Sequence, residues 1–218
     1  MARGIDAARI ATGKPAGGLN VGVVGLGAGS LICFAEPGEN WRFYEIDPVV
    51  EKIARNPKHF SFMSRCGAKT PVVLGDARLT LKAAPAGGFD YLLIDAFSSD
   101  SVPVHLLTRE AIELYLSRLA PDGVLALHIS NRHMDLQSVA AATVLSIPGV
   151  HAAVVSDKKG LGGMDGTKSR VFFIAKSAKS LATVKSWPDA HAAAPKGVRP
   201  WTDDYSDVLG AIIRNHWH

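Results

Sequence analysis

The sequence predicts an α/β fold in which a mostly parallel, seven-stranded sheet ends in an antiparallel hairpin. Five short apolar runs recur along the chain with helical segments between them, and repeated strand–helix units build parallel sheets with helices on both faces. After the fifth unit, two further apolar runs are joined by a glycine-rich segment that has no helical pattern. Strands joined by a loop pair antiparallel, so these two runs predict the closing hairpin.

The predicted strands are apolar runs bounded by turn residues. The five parallel ones are LNVGVVGLG from Leu19, WRFYEID from Trp41, TPVVLGD from Thr70, FDYLLIDAF from Phe89 and GVLALHIS from Gly123. The hairpin strands are HAAVVSD from His151 and SRVFFIAK from Ser169. The predicted helices are Pro48 to Arg55, Arg78 to Ala84, Thr108 to Leu119, with Thr108 as its N-cap, and Asp135 to Ser146. This outline is that of the Rossmann-like, S-adenosylmethionine-dependent methyltransferase fold.

Length and composition set limits on the class of protein. The 218 residues are 47% hydrophobic and 20% charged, as in ordinary globular proteins. We expect a lead-in segment at 1–18 and a single Rossmann-like nucleoside-binding domain at 19–218. The net charge is +4, but Lys and Arg are scattered, so we expect no role in nucleic-acid binding. No run of about 18 apolar residues occurs, so we expect no membrane span in this chain.

The two cysteines give information on the cellular compartment of the protein. Cys33 and Cys66 lie in unrelated segments and lack the spacing of metal ligands, so no metal site is predicted. We interpret them as buried, reduced thiols, with a disulfide between them as the alternative. The N-terminus also lacks the apolar core of a signal peptide. These observations together predict a cytoplasmic protein.

A glycine motif follows the first strand directly and indicates a ligand site. In GLGAG, the residues Gly25, Gly27 and Gly29 allow a tight turn and the close approach of a ligand. Glu45 stands at the end of the second strand, about 20 residues further on, where an acid can accept hydrogen bonds from both ribose hydroxyls. The motif and the acid together predict nucleoside binding.

Each of these features also has an interpretation that involves no ligand. The glycines can serve the packing of a strand–helix turn alone. Asp47 directly precedes the helix that begins at Pro48, so this acid can cap the helix. Both roles can hold together, with Glu45 on ribose and Asp47 as the cap.

Acids also end the third and fourth strands. Asp76 follows the third strand, and Asp95 follows the fourth, just ahead of a polar segment that contains Asp100. Ligands of open α/β sheets bind outside the carboxyl ends of the strands, where these acids are expected to gather. An acid such as Asp76 can accept a hydrogen bond from an adenine amino group, which favours an S-adenosyl ligand over NAD.

The motifs GLGAG, YEID, LGDAR and IDAFSSDSVPVHLLT, in this order and spacing, resemble those of the spermidine synthases (polyamine aminopropyltransferases). They are most similar to the bacterial branch often fused to membrane-transporter-like segments, and the ending RPWTDDYSDVL also resembles that branch. The similarity runs from about Asn20 to Leu209. It implies transfer of an aminopropyl group from decarboxylated S-adenosylmethionine to an amine such as putrescine, with release of methylthioadenosine, and a homodimer.

The resemblance also implies roles for particular residues. Glu45 would bind ribose, Asp76 and Ala77 the adenine end, and the 25–29 loop the side-chain region of the nucleoside. Asp95 matches the first acid of the family's catalytic segment and would be the general base. Asp100 would grip the ammonium group of the substrate.

The chain departs from the family pattern in several ways. The glycine loop is sparser than usual, and Asp95 and Asp100 lie further apart than is common in the family. Residues 1–18 are too few for the β-rich N-terminal domain that supplies part of the polyamine site. Two alternatives therefore stay open: a methyltransferase of the same fold, in which Arg78 or the loop amides would bind the methionine carboxylate, and a non-catalytic nucleoside-binding remnant.

Several polar residues have two interpretations each. His105 either contacts substrate or caps the next helix, and His128 is either a structural, hydrogen-bonded histidine or a catalytic one. Thr202 predicts a helix start, with the acids at 203–204 favourable at its N-terminus, while the resemblance suggests a lid over the site. Trp201 is expected to serve packing.

Overall fold

The computed structural model describes residues 1–14, 18–96, 103–157 and 169–216. Within these ranges, eight strands form one sheet in the order β3-β2-β1-β4-β5-β7-β6-β8. The strands are β1 Asn20–Val24, β2 Asn40–Glu45, β3 Val72–Leu74, β4 Phe89–Ile94, β5 Leu119–His128, β6 His151–Asp157, β7 Ser169–Ala175 and β8 Ala190–His191. The helices are α1 Ala2–Thr12, α2 Pro48–Arg55, α3 Phe62–Cys66, α4 Ala77–Lys82, α5 Arg109–Arg118, α6 Leu136–Leu145, α7 Ala182–Lys185 and α8 Val208–His216.

The predicted fold class is confirmed. Strands β1 to β5 run parallel, and β7 pairs antiparallel with both β5 and β6. The eighth strand, β8, has two residues and pairs antiparallel with β6. The sequence predicted seven strands because so short a strand leaves no alternating pattern to detect. The glycine-rich link at 158–168 lies outside the described residues.

Helices cover both faces of the sheet, and each face has its own apolar core. Helix α1 contributes Ile5, Ala7 and Ala8 to one of these cores, where they are buried together with residues of β1, β4 and β5. The division into a lead-in segment at 1–18 and a domain at 19–218 stays a prediction. No helix of the described ranges is long and apolar enough to cross a membrane.

The connection from β1 to β2 differs from the predicted strand–helix pattern. Only a 3₁₀ helix, Ser30–Phe34, follows the glycine loop, and Pro37 and Gly38 come soon after it, which leaves no room for a longer helix.

The interpretation of the cysteines as buried, reduced thiols is wrong. Cys33 and Cys66 form a disulfide, with their Cα atoms 5.0 Å apart, and both residues are exposed. The bond joins the 3₁₀ helix to α3. The two cysteines are 33 positions apart, so only the folding of α3 against the 3₁₀ helix reveals the pairing.

Candidate nucleoside site

The candidate site lies at the carboxyl ends of the parallel strands. Because β3, β2, β1, β4 and β5 are successive neighbours in the sheet, residues that directly follow these strands share one edge. The glycine loop, Glu45, Asp76, Asp95 and His128 all lie there. The fold thus brings together five segments that are distant in the sequence, as the strand-end acids predicted.

The glycine loop lies against the end of β4. Gly25 has φ +94°, and a Cβ on it would overlap the backbone carbonyl oxygen of Asp95. Gly27 also has a left-handed backbone, with φ +52°, and a Cβ there would meet no atom within 4 Å. Gly25 is therefore needed for the contact between two strand ends, whereas Gly27 borders open space. Gly29 packs on Met63, so its role includes the packing that the sequence left open.

Glu45 ties the glycine loop to the end of β2. Its Oε2 accepts a hydrogen bond from the backbone N–H of Leu26 at 2.9 Å, and its Oε1 accepts from those of Ile46 and Asp47 at 2.8 and 3.1 Å. An ionised carboxylate has about four acceptor sites, so one stays available for a ribose hydroxyl. The carboxylate is therefore held beside the loop in a fixed orientation.

The predicted cap at Asp47 is confirmed. Its side chain accepts a hydrogen bond from the backbone N–H of Val49 at 2.7 Å, at the start of α2. The two acids at the end of β2 therefore have separate structural roles.

Asp76 and Ala77 form the start of α4. Asp76 caps the helix by accepting from the N–H of Leu79 at 3.1 Å, and its other oxygen, Oδ2, lies 3.2 Å from Nε2 of His105. Ala77 is the first residue of the helix, where backbone N–H groups have no partner within the helix. An acceptor and a donor thus lie side by side, as recognition of an adenine edge requires.

His105 does not cap the next helix. Thr108 caps α5, since its Oγ1 accepts from the N–H of Ala111 at 3.3 Å, which confirms the predicted N-cap. His105 contacts Asp76 instead.

Asp95 is paired with His128. Oδ1 of Asp95 lies 2.6 Å from Nδ1 of His128, and both side chains are largely buried, with 23% and 20% of their surface exposed. Nε2 of His128 lies 2.8 Å from Oγ of Ser130. The sequence pattern does not distinguish a structural from a catalytic role for His128, and it does not reveal Asp95 as the partner of this histidine. The contact depends on the register of β4 against β5, in which Ile94 lies opposite Leu127, so that the residues that follow them, Asp95 and His128, lie side by side.

Asp100, the second predicted acid, lies outside the described residues. Among those that are described, no three His, Cys, Asp or Glu side chains come together as a metal ion would require.

The segment at 202–205 is a turn and not the start of a helix, so the predicted N-cap at Thr202 is wrong. Thr202 and Tyr205 exchange two backbone hydrogen bonds, and the last helix, α8, begins only at Val208. Asp203 accepts two hydrogen bonds from the guanidinium of Arg78, at 2.7 and 2.8 Å, and one from the Thr108 hydroxyl at 2.7 Å. The Arg78 hydrogen bonds, more than that of Thr108, hold the pKa of Asp203 below its usual range.

Trp201 precedes this turn and is fully buried, which confirms its predicted packing role.

Sequence comparison finds a similar protein for part of the chain. A polyamine aminopropyltransferase from Vibrio vulnificus (strain CMCP6) is 39% identical over 108 residues. The aligned part is 47% of this chain and 35% of the Vibrio protein, so the match spans about a third of that relative's length. No family model matches the sequence.

Solved structures with the same fold include both spermidine synthases and methyltransferases. A probable spermidine synthase from Corynebacterium glutamicum ATCC 13032 has a TM-score of 0.67 at 18% identity, over 94% of this chain and 80% of that chain. For the spermidine synthase from Thermotoga maritima the TM-score is 0.59 at 15% identity, over 90% and 65%. Human methyltransferase-like protein 13, in complex with SAH, has a TM-score of 0.57 at 19% identity, over 93% of both chains.

At these identities the structures bear on the fold alone. They confirm the Rossmann-like, S-adenosylmethionine-dependent methyltransferase fold, and the Vibrio protein confirms, over 108 residues, the resemblance to the polyamine aminopropyltransferases.

Proposed function

We propose that this protein transfers an aminopropyl group from decarboxylated S-adenosylmethionine to an amine. The observation that carries the proposal is the position of Asp95. Its backbone carbonyl lies against Gly25 of the glycine loop, and its side chain is held by His128 at the same edge of the sheet. A carboxylate directly beside a nucleoside-binding loop is what an amine nucleophile requires for its orientation and deprotonation.

The binding roles follow the polar groups at the strand ends. We assign one ribose hydroxyl to the remaining acceptor site of Glu45, the adenine amino group to Asp76 and an adenine ring nitrogen to the N–H of Ala77. The open space beside Gly27 suits the part of the nucleoside that crosses the loop. These groups fit an S-adenosyl nucleoside because they offer an acceptor to a ribose hydroxyl and an acceptor–donor pair to the base.

In the proposed reaction the protein has to supply only a proton acceptor, because the co-substrate is already activated. The nucleoside supplies a carbon already activated by its sulfonium group; the amine nitrogen bonds to this carbon as the carbon–sulfur bond breaks, and the sulfur keeps the electron pair in methylthioadenosine. The amine must lose a proton in the course of the attack. Asp95 accepts it and returns it to solvent. Asp100 is proposed to bind a second ammonium group of the substrate.

The acceptor is proposed to be a diamine such as putrescine. The name of the Vibrio relative supports this, since it describes a polyamine aminopropyltransferase.

The homodimer and the lack of a nucleic-acid partner stay predictions. The cytoplasmic location has lost the support of the cysteines, because they form a disulfide and disulfides persist mainly in oxidising compartments.

A methyltransferase is the second candidate, because the chain shares its fold with methyltransferases such as human methyltransferase-like protein 13. That activity needs a partner for the methionine carboxylate, and Arg78 is already bound through both terminal nitrogens to Asp203. The loop amides are then the remaining candidates. The aminopropyltransferase needs no such partner, because its co-substrate has lost the carboxylate.

The test is Asp95→Asn, measured as methylthioadenosine release with a panel of diamines. We expect turnover to be lost while the affinity for methylthioadenosine stays within about twofold, because Asp95 makes no contact with the nucleoside in the proposed assignment. Asp122→Asn, at an exposed position of β5 far from the carboxyl ends of the strands, is the matched control and should retain full turnover. Undiminished turnover in Asp95→Asn would overturn the assignment of the base. A wild-type protein that binds nucleoside but releases no methylthioadenosine would be a non-catalytic binding module.

A further inference from the structure

We propose that His128 is a positioning residue that acts through Asp95, holding one carboxylate oxygen so that the other faces the amine. The inference rests on the proposed function of Asp95. His128 itself touches no reacting atom in this scheme. Its part is to set the orientation of the base.

The hydrogen bonds around His128 determine where its protons lie. Oγ of Ser130 accepts a hydrogen bond from the backbone N–H of Arg170 at 2.8 Å, and Nε2 of His128 lies 2.8 Å from the same oxygen. The ionised carboxylate of Asp95 can only accept, so in the neutral imidazole the ring proton sits on Nδ1, and Nε2 then accepts from the Ser130 hydroxyl. In the imidazolium form both nitrogens carry protons. Nδ1–H therefore donates to Oδ1 of Asp95 in either state, at 2.6 Å.

This contact leaves the two carboxylate oxygens of Asp95 unequal. Oδ1 is occupied by His128, whereas Oδ2 makes no hydrogen bond to any residue in the described ranges. A carboxylate that can rotate freely would present either oxygen. Held at Oδ1, it presents Oδ2 as the acceptor for the proton of the amine, in one orientation.

Ser130 links the imidazole of His128 to the backbone of strand β7. Arg170 directly precedes Val171, which pairs with His128 across the antiparallel β5–β7 ladder, and the N–H of Ile129 donates to the carbonyl of Arg170. The orientation of the imidazole is therefore fixed by backbone groups of a regular ladder. This is the rigid support that a positioning residue needs.

Two amide substitutions test the contributions of Nδ1 and Nε2 of His128 separately. In His128→Asn the side-chain amide lies near the place of Nδ1 and can still donate to Asp95. In His128→Gln the amide reaches the place of Nε2, beside Ser130, and the donor to Asp95 is lost. We expect kcat of His128→Asn to stay within about threefold of the wild type, and kcat of His128→Gln to fall on the order of 100-fold, as expected for a misplaced catalytic group.

The split between kcat and KM distinguishes positioning from a general loss of structure. The KM for the nucleoside should be unchanged in both variants, since His128 does not contact it. His59→Asn, at an exposed histidine, is the matched control and should leave both constants unchanged. Equal kcat values for the Asn and Gln variants would overturn the proposal, as would a loss of kcat in His128→Asn in a protein with an unchanged melting temperature.

A second measurement is independent of turnover. Long-range ¹H–¹⁵N spectra of the wild-type protein report which imidazole nitrogens carry protons, and the spectrum of His128→Asn assigns the His128 signals. We expect a proton on Nδ1 of His128, and a shift of this signal in Asp95→Asn. An unprotonated Nδ1 would overturn the proposal even in an active enzyme. If the wild type shows no turnover with any amine, the proposed function fails, while the spectrum still decides whether His128 holds Asp95.

Discussion

Arg78 and Asp203, 125 positions apart, form a bidentate ion pair, in which each terminal nitrogen of the guanidinium donates to one carboxylate oxygen. The pair fastens the turn at 202–205 to α4, the helix whose first residues are assigned to adenine. The backbone N–H of Asp203 also donates to Glu110 of α5 at 2.9 Å. The C-terminal segment thus supports the candidate nucleoside site from the side of α4 and α5.

The contribution of this pair to stability depends on pH. The hydrogen bonds from Arg78 lower the pKa of Asp203, so its stabilising effect is fully present above the ordinary aspartate pKa of about 3.9 and is lost as pH falls through the lower folded value. We expect Asp203→Asn to reduce the free energy of unfolding by about 1 kcal/mol at pH 7, a small value because the carboxylate is 42% exposed. The difference from the wild type should shrink below pH about 4, measured by urea unfolding.

The neighbouring acid provides the control. Asp204 is exposed and makes no side-chain hydrogen bond or ion pair within the described ranges, so Asp204→Asn should leave stability unchanged at both pH values. Equal losses in the two variants would show that the ion pair does not brace the turn.

Glu45→Gln is expected to weaken nucleoside binding. The substitution removes a charge that accepts three backbone hydrogen bonds and the proposed hydrogen bond from a ribose hydroxyl. Hydrogen bonds to charged groups contribute about 1.5–3 kcal/mol each, so the Kd for methylthioadenosine should rise at least tenfold. Calorimetric titration measures this. Glu51→Gln, on the surface of α2 in an ion pair with Arg55, should leave the Kd unchanged; a similar Kd for wild type and Glu45→Gln would remove Glu45 from the site.

The variants Gly25→Ala and Gly13→Ala distinguish the cost of a left-handed backbone from the cost of a steric overlap with a neighbouring strand end. Both glycines have positive φ, but only at Gly25 would the new Cβ overlap a neighbour, the carbonyl of Asp95. Gly13→Ala should cost about 1–2 kcal/mol, the usual cost of a left-handed alanine. Gly25→Ala should cost clearly more and should also weaken methylthioadenosine binding, which thermal unfolding and titration measure. Equal costs would mean that the ends of β1 and β4 can move apart freely.

The disulfide is expected to stabilise the region beside the glycine loop. Its removal in Cys33→Ser/Cys66→Ser reopens a loop of 33 positions and should lower the free energy of unfolding by about 2–4 kcal/mol. Reduction of the wild-type protein with dithiothreitol should have the same effect and should leave the double variant unchanged. A wild-type protein whose stability does not respond to the reductant would contradict a structural role for this bond.

The sequence predicted most of the fold because local signals agreed with it. Apolar runs predicted β1 to β5, with acids at the ends of β2, β3 and β4, and the caps at Asp47 and Thr108 marked two helix starts correctly. The disulfide was only the alternative interpretation and β8 was not predicted, since pairing between distant segments leaves no local pattern. At Thr202 the local cap signal was overridden by the ion pair between Asp203 and Arg78, which holds this segment in a turn.

The candidate site was predictable in its residues more than in its contacts. Glu45, Asp76 and Asp95 stood at strand ends, where the carboxyl edge of a parallel sheet gathers them. The bond between Asp95 and His128 depends on the register of β4 against β5, and the register emerges only once the two strands are placed side by side.

The most direct test of the proposed function is a parallel calorimetric titration of the wild-type protein with decarboxylated S-adenosylmethionine, S-adenosylmethionine and methylthioadenosine. We expect the decarboxylated form and methylthioadenosine to bind more tightly than S-adenosylmethionine, because the residues proposed to bind the nucleoside recognise its adenosine part and Arg78 is already paired with Asp203. Tighter binding of S-adenosylmethionine would point to a methyltransferase, and binding of none of the three would contradict the nucleoside site itself.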